Sequence, residues 1–418
     1  MIDRIRRALA EIGAEHYLIR QSREEASELF FIRARRDMTR IKDVTRVSVT
    51  VYRDFEAGGK RMRGESEANL FPGMAEGELR AALQTAYDAA AHVKNPWFEL
   101  ADPATGDAGE QETDLTAAAN ALAAALFQSD AQDAFVNSAE IFAIRRTVRI
   151  ATSRGTDARY VRHIFKGEFV AQCVQPTDVE LYADFMYDAP DADALERAAG
   201  ELVRAARDRA RATEAPKAGK YALLLTDKYL STALSLYLEK AAASMVYAKY
   251  SNYEIGSSAQ GEDVRGERIN MTLRAWEPFS DEGIPMRDRE LIRDGVLQSL
   301  YGSTRFCRYL GIEPTGAYAS VRVDNGTVSL EEMKKAPHIR PVAFSDFQMD
   351  PFSGYFSGEI RLAYVFDGET TRIVTGGSVN GSLFDAQKEF TFSKERYADA
   401  NYEGPRAALL RNVMVAGA

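Results

Sequence analysis

The chain has 418 residues, 45% of them hydrophobic and 28% charged, the make-up of a folded protein with room for two cores rather than of a low-complexity chain. A formal net charge of -9 argues against nucleic acid as a partner, because that binding depends on lysine and arginine displacing counterions from phosphates. Apolar stretches run to about ten residues before a charge interrupts them, short of the roughly 20 that a membrane-crossing helix requires, so no membrane partner is expected.

The opening MIDRIRRALAEIGAEH is charged throughout where a secretory leader needs an unbroken apolar stretch. Its Ile2, Ile5, Leu9 and Ile12 recur at spacings of three and four, which predicts an amphipathic helix capping its own sheet. Strand character follows at residues 16–20, 28–33 and 47–52, the last rich in β-branched side chains. Between them lies one basic run, residues 33–46 (RARRDMTRIKDVTR). Acidic residues interrupt it and no aromatic platform alternates with it, so it reads as a solvated strand face. Gly58-Gly59 supplies a turn, and helices are predicted over residues 76–93 and 114–127 from their periodic Leu and Ala. Residues 139–187 return to strands, with turns at Ser153-Arg154-Gly155 and near Pro176, before a charged helix over 191–212.

Residues 213–220 (TEAPKAGK) are small and polar, and mark the expected boundary between an N-terminal mixed α/β-sheet domain, residues 1–215, and a C-terminal, mostly-β domain, residues 216–418. The overall class is α+β. The second half begins with a strand at 221–225 and one long helix over 228–250. Ser329 and Glu332 have capping-box spacing, so a short helix runs from there to Ala336, before Pro337. Ile360, Leu362, Tyr364 and Phe366 alternate as one face of a strand, and Asp367-Gly368 turns the chain back through 371–375 as a half-buried hairpin.

The search for chemistry is mostly negative. The four histidines, at 16, 92, 163 and 338, leave no two on one helical turn, and Cys173 and Cys307 lie near no other cysteine or histidine. A zinc hydrolase needs three converging ligands, usually two from one turn, so no metal site and no cofactor are expected; a carboxylate-only site stays open. No G-x-S-x-G elbow is present, and GGSVNG at 376–381 lacks the lysine of a P-loop and reads as a turn. The two cysteines suit core positions in a reducing compartment, and a cytoplasmic location is expected.

Three segments together resemble the TldD/PmbA family, also called modulator of DNA gyrase proteins. These are residues 352–383 (FSGYFSGEIRLAYVFDGETTRIVTGGSVNGSL), 281–297 (DEGIPMRDRELIRDGVL) with 311–316 (GIEPTG), and 150–155 (IATSRG). In that family the catalytic member carries H-E-x-x-x-H on the first helix of the C-terminal domain, with a cysteine near the C-terminus. The resemblance places Leu238 and Ala243 at the two histidine positions, with Glu239 between them, and no cysteine follows Cys307. It therefore implies the zinc-free, TldE/PmbA-like type, without catalytic residues of its own. Such a chain would pair with a TldD-like zinc metallopeptidase subunit that degrades or matures peptides, with self-association left open. It would offer peptide a strand edge near Ser357, Gly358, Glu359 and Ile360. A stand-alone regulatory binding protein and an independent hydrolase are the alternatives.

Overall fold

The computed structural model of the protein describes residues 1–109 and 112–417. The helix α1 (Ile2–Glu11) buries Ile2, Ile5 and Leu9, and leaves Ile12 half-buried just beyond its end. The chain then enters two very long strands, β1 (His16–Ile32) and β2 (Arg35–Ala57), paired antiparallel along their length. The three short strands expected here are thus parts of one hairpin. Polar residues interrupt the hydrophobic alternation between them, yet the ladder continues because charges on the two strands face each other. Arg23 donates to Asp43 at 2.9 Å, and Lys42 and Arg40 pair with Glu24 and Glu28. The basic run occupies the end of this hairpin, where residues 32–41 are exposed.

Gly58 and Gly59 turn into β3 (Lys60–Leu70), and α2 (Glu76–Ala90), β4 (Thr105–Ala108) and α3 (Leu115–Leu126) follow. Then come β5 (Ala134–Thr152), β6 (Asp157–Cys173), β7 (Val179–Tyr187) and α4 (Ala192–Arg211). The sheet runs β3-β2-β1-β5-β6-β4, with β7 also on β6. Successive side chains of a strand point to opposite faces, and β1 shows what this does. Its odd positions face the helices: Ile19 packs with α1 and α2, and Leu29 with α3 and α4. Its even positions Arg20, Ser22 and Glu24 face away from every one of these helices.

From β8 (Gly219–Thr226) onward the strands form two further sheets. In one, the strand His338–Met349 pairs with β8 and with Tyr355–Phe366, which pairs in turn with Ser378–Ser382. The circuit is completed by Ala407–Ala416, which pairs with both Ser378–Ser382 and β8. The sheet is therefore closed on itself. Its core joins Leu223, Phe356, Ile360, Val379 and Leu410 to Leu230, Leu234 and Tyr237 of the helix α5 (Asp227–Lys240). The other, six-stranded sheet holds the short strands Met271–Leu273, Arg289–Arg293 and Val321–Val323, among others.

Three expectations need correction. The long helix over 228–250 is two pieces, α5 and the five-residue α6 (Ala243–Tyr247). Tyr301 breaks it: its N–H donates to the carbonyl of Ala241, and its carbonyl accepts from the N–H of Ala243 at 2.7 Å, replacing bonds a continuous helix would make. Second, Ile360 and Leu362 do not share an environment. The pairing with His338–Met349 shifts register around Ala343, so Ile360 packs in the closed sheet's core while Leu362 and Tyr364 turn to the first half, Tyr364 donating to Asp208 of α4. A β-bulge of this kind re-aims every side chain beyond it. Third, the short helix after Ser329 is capped as expected, the Ser329 hydroxyl accepting from the N–H of Glu332 at 3.1 Å, but it spans only Leu330–Met333.

Candidate functional site

The residues matched to the family's zinc motif do not converge. Leu238 is half-buried and packs on the core, and Glu239 is exposed on the last turn of α5, within reach of the Ser235 hydroxyl at 3.3 Å. Ala243 begins the next helix and is fully buried against Tyr301 and Gly302. Among the described residues no three His, Cys, Asp or Glu side chains are grouped to hold a metal ion. His338 Nδ1 faces the carbonyl of Ala336 at 2.8 Å, and His163 stacks on Phe165. Both cysteines are buried, and burial pushes the Cys307 thiol up to about 11, away from a reactive thiolate.

The expected edge near Ser357 to Ile360 is overturned. Ser357 and Gly358 pair with Gln348 and Phe347 on one side and with Asn380 and Val379 on the other, Glu359 pairs with Ser378, and Ile360 with Phe344. Closure of the sheet uses up the backbone groups that a peptide strand would need. The glycine has a packing cause: a Cβ on Gly358 would stand 2.6 Å from the Phe344 ring.

A cavity of about 880 Å³ lies elsewhere, on the face of the first sheet that its helices leave uncovered. Its floor is the even-numbered side of β1 and β2, with Arg20, Ser22 and Glu24 beside Arg46, Ser48 and Thr50, continued by Glu65, Glu67 and Asn69 of β3. Its wall comes from the second half: the Asp281-Glu282 turn with Ser303 and Arg305. Ion pairs tie wall to floor, Arg20 to Asp281 at 2.8 Å and Arg305 to Glu65. Behind them, Arg162 stacks 3.3 Å over Trp276 and donates to Glu277 at 2.8 Å, and Phe279 enters the small core of Ile150 and Tyr160.

Electrostatics differ along this cleft. Burial would raise the Glu24 carboxyl, but hydrogen bonds from Lys42 and Arg146 outweigh it and hold the group below its usual value. Glu282 is raised by burial, with Glu65 and Asp281 adding to it, against hydrogen bonding from Thr304, whose N–H donates at 2.8 Å. Sequence reasoning singled out the D-E-G turn only as a resemblance. The alternation of Arg, Ser and Glu at even positions of β1 was the available signal for the floor; it marks a strand whose second face is polar.

Residues 218–417 match the family described as PmbA/TldA metallopeptidase C-terminal domain. The second half of the chain belongs to the TldD/PmbA family. Among curated proteins none matches. Solved structures similar to this chain include TldE from Thermococcus kodakarensis, at 14% identity and a TM-score of 0.79, covering 99% of this chain and 100% of that one. A protein described as a modulator of a DNA gyrase from Thermotoga maritima aligns at 15% identity and a TM-score of 0.75, with 99% and 100% covered. Another so described, from Bacteroides thetaiotaomicron, aligns at 14% and 0.77, with 100% and 99% covered. At such identities the likeness concerns the fold. The metal implied by the word metallopeptidase does not fit the residues present at 238 and 243, since neither leucine nor alanine can ligate.

Proposed function

We propose that this chain is the zinc-free, non-catalytic subunit of a TldD/TldE-type heteromeric metallopeptidase acting in peptide degradation or maturation. The supporting observation is the break after Lys240: Leu238 and Ala243 are both unable to ligate, and they sit on separate helices whose ends are held by Tyr301. The role left to the chain is to bind a histidine-bearing partner and to present peptide to it, in the cytoplasm. In this reading it contributes surface and positioning, and the partner contributes the metal and the hydrolytic step.

The test is to measure zinc content, peptidase activity and native mass for the chain alone and after co-expression with an HExxxH-bearing homologue. The expected result is no stoichiometric zinc and no cleavage alone, with a stable pair that cleaves peptides. Stoichiometric zinc in the isolated chain, with cleavage abolished by a chelator, sinks the proposal, and so does a chain that ignores the homologue.

A further inference from the structure

Most charges of the cleft are matched within it. Asp281 is held by Arg20, Glu65 by Arg305, and Glu24 by Lys42 and Arg146. Three groups are left over, one of them Glu67 of β3, which is exposed and has no cation paired with it among the described residues. Glu282 has only Thr304 as a donor and further carboxylates beside it, and among the described residues no cation is paired with it. Arg46, exposed on β2, likewise has no carboxylate partner among the described residues.

Glu282 and Arg46 stand at opposite ends, and Glu67, the cross-strand neighbour of Thr50, lies between them. Glu282 and Tyr52 together line both the large cavity and the small one that opens beside it. Arg46 lies six positions before Tyr52 on the same face of β2, a separation of about 20 Å at the rise of a strand. Between them Ser48, Thr50 and Asn69 offer hydroxyl and amide groups. A matching ligand is elongated, cationic at one end and anionic at the other, with hydrogen-bonding groups along its length. An extended peptide of about six residues with free termini has these properties. A polyamine has no anion for Arg46, and a nucleic acid has no cation for Glu282 and would face the cleft's carboxylates.

We propose that this cleft holds a short extended peptide by its two ends, the amino terminus on Glu282 and the carboxylate on Arg46. The proposal deepens the peptide-handling reading and rests on it, but it requires neither metal nor partner subunit. The site selects for free termini and for length, a property suited to peptides already cut from larger chains.

Calorimetric titration of the isolated chain tests it, with a Ser/Ala hexapeptide, its N-acetylated and C-amidated forms, and a Ser/Ala tripeptide. The free hexapeptide should bind, with either cap weakening it at least ten-fold and the tripeptide, too short to span, weaker again. Glu282→Gln should bind free and acetylated hexapeptide alike, while Arg46→Gln binds free and amidated forms alike. Equal binding of free and capped hexapeptides by the unmodified chain, or no binding at millimolar peptide, overturns the assignment without recourse to any variant. A pair that forms and cleaves while the isolated chain ignores peptide overturns this cleft alone. A chain that grips the hexapeptide yet never pairs overturns the subunit reading alone.

Discussion

The closed sheet of the second half and the open sheet of the first use their faces in opposite ways. In the closed sheet, Phe356, Ile360 and Val379 point into a core shared with α5, and the backbone ladder has no free edge around Ser357 to Ile360. In the open sheet one face carries all four helices of the first half, and the other carries ion pairs and hydroxyls under an 880 Å³ cavity. A closed sheet stabilises; a half-covered one leaves a patterned surface. The resemblance drew attention to the first, and the unmatched charges lie on the second.

The largest contrast should come from truncation inside the closed sheet. Phe356 is fully buried, so Phe356→Ala should cost about 3–5 kcal/mol in chemical denaturation. A loss under about 1 kcal/mol would mean the closed sheet is not the stabilising region.

On the open sheet, Glu24→Ala leaves Lys42 and Arg146 facing each other without their carboxylate. Both cations are partly reached by water, so the expected loss is nearer 2 kcal/mol than the value for a fully buried pair. Because the folded-state value of Glu24 is lowered, its contribution is present above the ordinary value of 4.5 and disappears as pH falls through the lowered one. Denaturation midpoints of wild type and variant should therefore converge in acid.

Glu282 should behave with the opposite sign. Its raised value means that folding is favoured while the group is protonated, and that this advantage is lost as pH rises from 4.5 through the folded value. Glu282→Gln keeps an acceptor for the Thr304 N–H and should stabilise the chain near neutral pH by about 1 kcal/mol at most. That gain should close as pH falls toward 4.5, and a gain that instead grows in acid would refute the sign. The smallest effect is expected at Glu239, which is exposed on α5. Glu239→Ala should change stability by less than about 0.5 kcal/mol, whereas a larger loss would show that this carboxylate is tied into the fold.

Much of the first half was legible because its helices announce themselves. The Ile2, Ile5, Leu9 spacing and the Leu79, Leu83 spacing are helical, and the helices that bear them cover the sheet. The length of β1 and β2 was not, since polar Gln21 to Glu25 interrupt the apolar alternation, and only the fold pairs Asp43, Lys42 and Arg40 with Arg23, Glu24 and Glu28. The resemblance sets Leu238 and Ala243 at the motif's two histidine positions. That they lie on separate helices was invisible, because the interruption is made by Tyr301, some sixty positions away.

The amino-acid sequence by itself determined what was local: helical and strand periodicity, the caps at Ser329 and the glycine turns, the scarcity of metal ligands, and the family to which the second half belongs. Only the tertiary structure decided which strand edges are used up, which face of the first sheet stays uncovered, and which charges remain unmatched. The reason is physical. Periodicity and capping act between residues a few positions apart, whereas closure of a sheet and neutralisation of a charge depend on partners such as Glu65 and Arg305 that only folding brings together.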